Sequence, residues 1–110
     1  MEKNTTEDLY HFDIIKVFKA LSDPVRLTIV RALLADKEGA ERHCSTFGLT
    51  VTRATRSHHF RVLREAGLIR VVDKGNMAVA ILCRESIEKE LPGLTELINY
   101  TDTRGEQGSK

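Results

Sequence analysis

The sequence predicts a single, mainly α-helical domain carrying one two-stranded β-hairpin. Three observations carry that expectation. Apolar residues recur at helical spacing on both sides of residues 68–83, and two short strand-like runs within that stretch are joined by Gly75-Asn76. With 110 residues, 41% hydrophobic but 5% aromatic and no Trp, there is material for one modest core of Leu, Ile, Val and Ala.

The elements follow in order. Thr6–Leu21 carries Leu9, Phe12, Ile14 or Ile15, Phe18 and Leu21 as a helical stripe, with Thr5 or Thr6 placed to cap it. Ser22-Asp23-Pro24 restarts the chain, a capping residue before an early-helix proline, and a second helix runs to about Ala35. A short third helix is expected over Glu41–Phe47, ended by Gly48. Thr52 caps a fourth, Arg53–Ala66, which Gly67 terminates. Arg70–Lys74 and Met77–Leu82 are the hairpin strands. Ser86–Tyr100 is helical in two pieces, with Pro92 starting the second. Residues 1–100 thus form one domain, and Thr101–Lys110, polar with two glycines, is a disordered tail.

Helices, then a two-stranded ribbon, then a helix is the winged-helix order. A lone two-stranded ribbon is marginal in water, so it must lean on the helices or on a ligand. The net charge of +1 is uninformative, but its distribution is not. Arg53, Arg56, Arg61, Arg64, Arg70 and Lys74 face only Glu65 and Asp73 in that stretch, while acids gather in Met1–Asp13 and Glu85–Asp102. A basic segment in a near-neutral chain suits a DNA-binding face.

A wheel at about 100° per residue sorts the fourth helix. His59, Phe60, Leu63 and Ala66 fall on one side, with Arg56 at its edge; Ala54, Ser57, His58, Arg61 and Glu65 lie opposite, flanked by Arg53 and Arg64. Small side chains permit close approach to base edges, where Ser57 and His58 can hydrogen-bond. Arg53 can reach a guanine or a phosphate, and Arg61 and Arg64 suit phosphates. Thr52, Thr55 and the helix N-terminus add donors, and Lys74 and Asn76 sit at the hairpin tip.

Ala20–Leu27 with Ile29–Leu33, and Thr55–Ile69, resemble the two signatures of ArsR-type (arsenic-repressor-like) winged helix-turn-helix regulators. The resemblance spans roughly Phe18–Leu94. It implies a homodimeric repressor of double-stranded DNA, bound to an inverted-repeat operator and released by a signal. It also implies dimerisation through the first and last helices, here Leu9, Phe12, Ile15 and Phe18 with Leu91, Leu94, Leu97 and Ile98. Metal-sensing members carry a Cys-x-Cys site on the third helix or His and carboxylate ligands on the last. This chain has only His43-Cys44 in the first place, and neither His nor Cys from Arg84 onward, so no metal or other cofactor is expected and the inducer is unknown.

Cys44 reads most simply as a small packing residue. Arg42 and His43 beside it leave open a redox switch, and His11 or a second subunit leaves open a metal site. The other class of function is a winged-helix protein-interaction module that does not bind DNA; the charge of Arg53–Lys74 argues against it, because interface cores are depleted in charge. An enzyme is not expected, since the chain has no Gly-rich phosphate loop, paired carboxylates or nucleophile motif. Without an apolar run near 18 residues, a secretory leader or a disulfide framework, the expected location is the cytoplasm, away from membranes.

Overall fold

The structure, a computed structural model, describes residues 12–100. Helix α1 spans Ile14–Leu21 and α2 Pro24–Ala35. A two-residue strand β1 (Arg42–His43) leads into a 3-10 turn at Cys44–Thr46. Helix α3 spans Arg53–Glu65, strands β2 and β3 span Ile69–Asp73 and Ala78–Leu82, and helices α4 (Arg84–Glu90) and α5 (Leu94–Asn99) close the described chain.

The first described helix begins at Ile14, within the apolar stripe. Asp13 is extended, and its carboxylate accepts from the amides of Ile15 (3.0 Å) and Lys16 (3.4 Å), so the stripe through Phe12 is not one continuous helix. Thr5, Thr6 and Leu9 lie outside the described residues. Asp23 does the same for α2, accepting from Val25 (2.8 Å) and Arg26 (3.2 Å) with Pro24 in the first turn, as the Ser-Asp-Pro signal indicates.

Glu41–Phe47 is not a helix. Arg42 pairs with Ala80 and His43 with Val79, giving a three-stranded antiparallel sheet in the order β1-β3-β2 rather than a bare two-stranded ribbon. Cys44, Ser45 and Thr46 are weak helix formers, too few to nucleate a helix. The open edge of β3 satisfies the backbone instead. The Arg42 guanidinium then fixes the turn: it donates to Asp36 (3.2 Å) and to the Thr46 carbonyl (3.0 Å), and lies 4.7 Å from the centre of the Phe47 ring.

Beyond α3 the chain turns at Gly67, whose φ of +84° is left-handed. Its amide donates to the Arg64 carbonyl (2.9 Å) and that of Leu68 to the Leu63 carbonyl (3.1 Å), the paired bonds of a Schellman stop. The hairpin runs in register from Ile69 opposite Leu82 to Asp73 opposite Ala78. The final helices are separated by Leu91-Pro92-Gly93; Gly93, at φ +91°, caps α5, so Pro92 precedes the helix instead of starting it.

Val17 and Ala20 of α1, Ile29, Val30 and Leu33 of α2, Phe60 and Leu63 of α3, Leu68 and Ile69 of β2 and its entry, Ala80 and Leu82 of β3, and Ile87, Leu94 and Ile98 of the last helices form one core. Two arginines lock its periphery. Arg31 donates from Nε to the Ile98 carbonyl (2.8 Å) and from Nη2 to the Tyr100 carbonyl (2.7 Å), fastening α5 to α2. Arg84 Nη2 covers the carbonyl end of α2 at Leu34 (3.2 Å) and Asp36 (3.3 Å).

Candidate nucleic-acid interface

Helix α3 lies on the core through His59, Phe60 and Leu63, the side the wheel assigns inward. The Phe60 ring meets Phe47 edge-on at 5.4 Å between centroids. Its opposite side is open: Thr52, Arg53, Ala54, Thr55, Ser57, His58, Arg61 and Arg64 are all exposed. Thr52 caps the helix by accepting from the Thr55 amide (3.1 Å), and the two threonine hydroxyls are 3.0 Å apart. Arg61 donates from Nη2 to His58 Nδ1 at 3.1 Å. A guanidinium has no acceptor, so Nδ1 of His58 is unprotonated in this pairing.

His59 is 7% exposed and has a partner. Its Nδ1 accepts from Arg26 Nη1 at 3.0 Å, while Arg26 also donates from Nε to the Ala20 carbonyl (2.8 Å) and from Nη2 to the Lys19 carbonyl (3.3 Å). One guanidinium thereby joins the end of α1, the start of α2 and the buried side of α3. Desolvation pushes the neighbouring Asp23 carboxyl up, but the Arg26 and Val25 amides, the Arg26 charge and His59 outweigh it and hold the carboxyl below its ordinary value.

At the hairpin tip Lys74 and Asn76 are exposed. Lys74 is 3.4 Å from Glu41, a solvent-facing pair of the kind that adds little to stability. Gly75, at φ +98°, receives the Asp73 carboxylate on its amide (2.9 Å), which sets the turn. Between α3 and the hairpin runs an open groove of about 500 Å³, whose lining includes Arg53, Arg56, Arg61, Arg64, Asn76 and Met77. Met77 was not picked out from the sequence, and Arg56 was noted only within the basic segment and not as a DNA contact. Arg56 sits at the edge of the inward side of the wheel, and a charge at such a position was the available signal.

Cys44 and His43 also line this groove. Burial pushes the Cys44 thiol up, against the pull of the Arg56 charge, and burial does the same to Cys83 against Arg70. Among the described residues no three His, Cys, Asp or Glu side chains converge on a position fit for a metal ion.

Outside the groove, Ile15, Phe18 and Leu97 are exposed, Phe18 by 56% and Leu97 by 64%, together with Ile14 and Tyr100. Phe12 and Leu91 are half-buried, whereas Leu94 and Ile98 are turned into the protomer's own core. Ile14, Phe18, Leu91, Pro92 and Leu97 surround a shallow apolar hollow of about 290 Å³.

Helix α2, then α3 with its small-and-basic open side, then the β2–β3 hairpin define a winged helix-turn-helix domain of a DNA-binding transcription regulator. Residues 21–72 match the family described as a helix-turn-helix domain. Over 85 residues the chain is 35% identical to the uncharacterized HTH-type transcriptional regulator YceK of Bacillus subtilis (strain 168), covering 76% of this chain and 83% of that protein. It is 33% identical over 78 residues to the cadmium resistance transcriptional regulatory protein CadC homolog of Staphylococcus aureus, covering 70% of this chain and 63% of that one. An ArsR family transcriptional regulator of known structure superposes with a TM-score of 0.60 at 20% identity, over 80% of this chain and 98% of that one, so the fold is the ArsR-type winged helix-turn-helix. The chain belongs to the HTH-type transcriptional regulators, a family of DNA-binding proteins and not of enzymes. Among the described residues no helix is long and apolar enough to cross a membrane.

Proposed function

We propose that this chain is a cytoplasmic repressor that binds an inverted-repeat operator in double-stranded DNA as a homodimer. The observation that carries the reading is the open side of α3. Ala54, Ser57 and His58 present a low, hydrogen-bonding strip for base edges, and Arg53, Arg61 and Arg64 flank it for phosphates. Lys74 and Asn76 extend the contact through the wing. The dimer half rests on Ile15, Phe18 and Leu97, joined by Ile14 and Tyr100, because an exposed cluster of large apolar residues marks an association surface. A two-fold axis through that cluster presents two copies of α3 to half-sites about 34–36 Å apart, one turn of DNA. Repression follows if the operator overlaps a promoter.

Anisotropy titration of a labelled duplex from the region upstream of the chain's own gene tests this. The expected result is salt-dependent binding of one dimer per inverted repeat; a failure to bind any duplex would overturn it.

A second reading makes Cys44 a thiol or metal switch, which its place in the groove and the similarity to a cadmium resistance regulatory protein of Staphylococcus aureus favour. The raised thiol counts against it, since oxidants and soft metals take the thiolate. Cadmium or peroxide that releases DNA from the wild type but not from Cys44→Ser would establish it.

A further inference from the structure

We propose that the groove between α3 and the β2–β3 hairpin is a phosphodiester track, with Arg56 holding the DNA backbone strand that passes between helix and wing. This rests on the DNA reading of α3 and goes beyond it, because Arg56 is not part of the open face.

Four arginines and no carboxylate line the groove. The side chains of Arg53, Arg56 and Arg64 make no hydrogen bond or ion pair among the described residues, and that of Arg61 donates only to the ring of His58. Outside the groove, Arg26, Arg31, Arg42 and Arg84 are each spent on carbonyls or a carboxylate, whereas the exposed Arg70 has no such partner among the described residues. Arg56 is the half-buried member, beside the Cys44 thiol, where its charge is less well solvated than the others and no carboxylate among the described residues pairs with it. Like charges gathered without a counter-ion attract an anion.

The groove's form selects the kind of anion. From Arg53 to Arg64 it follows roughly 16 Å of helix at 1.5 Å per residue, and it is open along its length. Ser57 of the open face and Asn76 of the wing both border it, so it is continuous with the base-reading side. A linear polyanion fits such a strip better than a small compact ion, and guanidinium groups pair well with phosphate oxygens.

The test compares wild-type full chain with Arg56→Gln on two labelled duplexes, the chain's own upstream region and a scrambled sequence of equal length, at a series of KCl concentrations. Loss of one phosphate contact lowers the magnitude of the slope of log K against log salt by about 0.9 per protomer. The expected result is that decrease, with affinity reduced by a similar factor on both duplexes, while Arg56→Lys keeps the wild-type slope. Arg56→Met, which retains the packed stem, replaces the Gln variant if the latter melts at a lower temperature. A folded, uncharged variant with an unchanged slope would overturn the track while leaving DNA binding by α3 intact. If wild type binds neither duplex, the DNA reading falls and the track with it. In a second arm, potassium phosphate replaces KCl at equal ionic strength. Stronger displacement of DNA by phosphate that Arg56→Gln abolishes supports the track, since free phosphate then competes with DNA at Arg56; stronger displacement that Arg56→Gln leaves unchanged would place the phosphate contact elsewhere and overturn it.

Discussion

Arg26 donates to His59 Nδ1 at 3.0 Å, so the helix that faces outward for DNA is fixed from behind by a side chain of the preceding helix. The same guanidinium holds the Ala20 and Lys19 carbonyls at the end of α1. A single residue thus bridges three helices, adding to the core packing of Phe60 and Leu63 in fixing α3, and it satisfies a buried imidazole.

Arg26→Met removes those bonds and leaves His59 buried without its donor. The expected loss of stability is about 1–3 kcal/mol, the penalty for an unsatisfied buried polar group. Urea denaturation checks it, with DNA affinity falling as well because α3 loses its rear support. Replacing both members, Arg26→Met with His59→Leu, should recover part of the stability.

Asp23 caps α2 from a carboxyl held below its ordinary value. Asp23→Ala should lower stability at neutral pH by about 0.5–2 kcal/mol, with Asp23→Asn costing less. A carboxyl whose folded value is depressed contributes stability above its unfolded value and loses it as pH falls through the folded one. The gap between wild type and Asp23→Ala should accordingly close as pH drops below about 4. Thermal melts across that range give the answer; a gap that widens in acid contradicts the assignment.

Phe18→Glu and Leu97→Glu place charges in the exposed apolar cluster without entering the core. Each should leave helical circular dichroism unchanged and convert a sedimenting dimer to a monomer. Leu94→Glu should behave differently, since Leu94 packs inward, and should unfold the chain.

What the sequence made legible was local. Ser22-Asp23-Pro24, Thr52 and Gly67 fix helix ends by side-chain capping and left-handed backbone, effects confined to a few neighbouring residues. The sides of α3 followed from a period, and burial of His59, Phe60 and Leu63 agrees with it. The strand at Arg42–His43 was not legible, because two residues become a strand only through Val79 and Ala80, far along the chain. Nor was the split among the last helix's apolar residues: Leu94 and Ile98 turn inward and Leu97 outward because of how α5 sits on α2, which Arg31 helps to set. In the groove, Arg56 was legible as part of the basic segment and at the edge of the wheel, but its surroundings were not, since they come from the hairpin and the Cys44 turn.

The most direct test of the open side of α3 as the DNA-reading surface is a pair of anisotropy titrations, Arg61→Ala and Ser57→Ala against wild type, on the upstream duplex and on a scrambled one. Arg61→Ala is expected to weaken binding to both duplexes by a similar factor and to flatten the salt dependence. Ser57→Ala is expected to leave the scrambled duplex nearly unaffected and to reduce the preference for the upstream sequence. Wild-type affinity and preference in both variants would contradict the account.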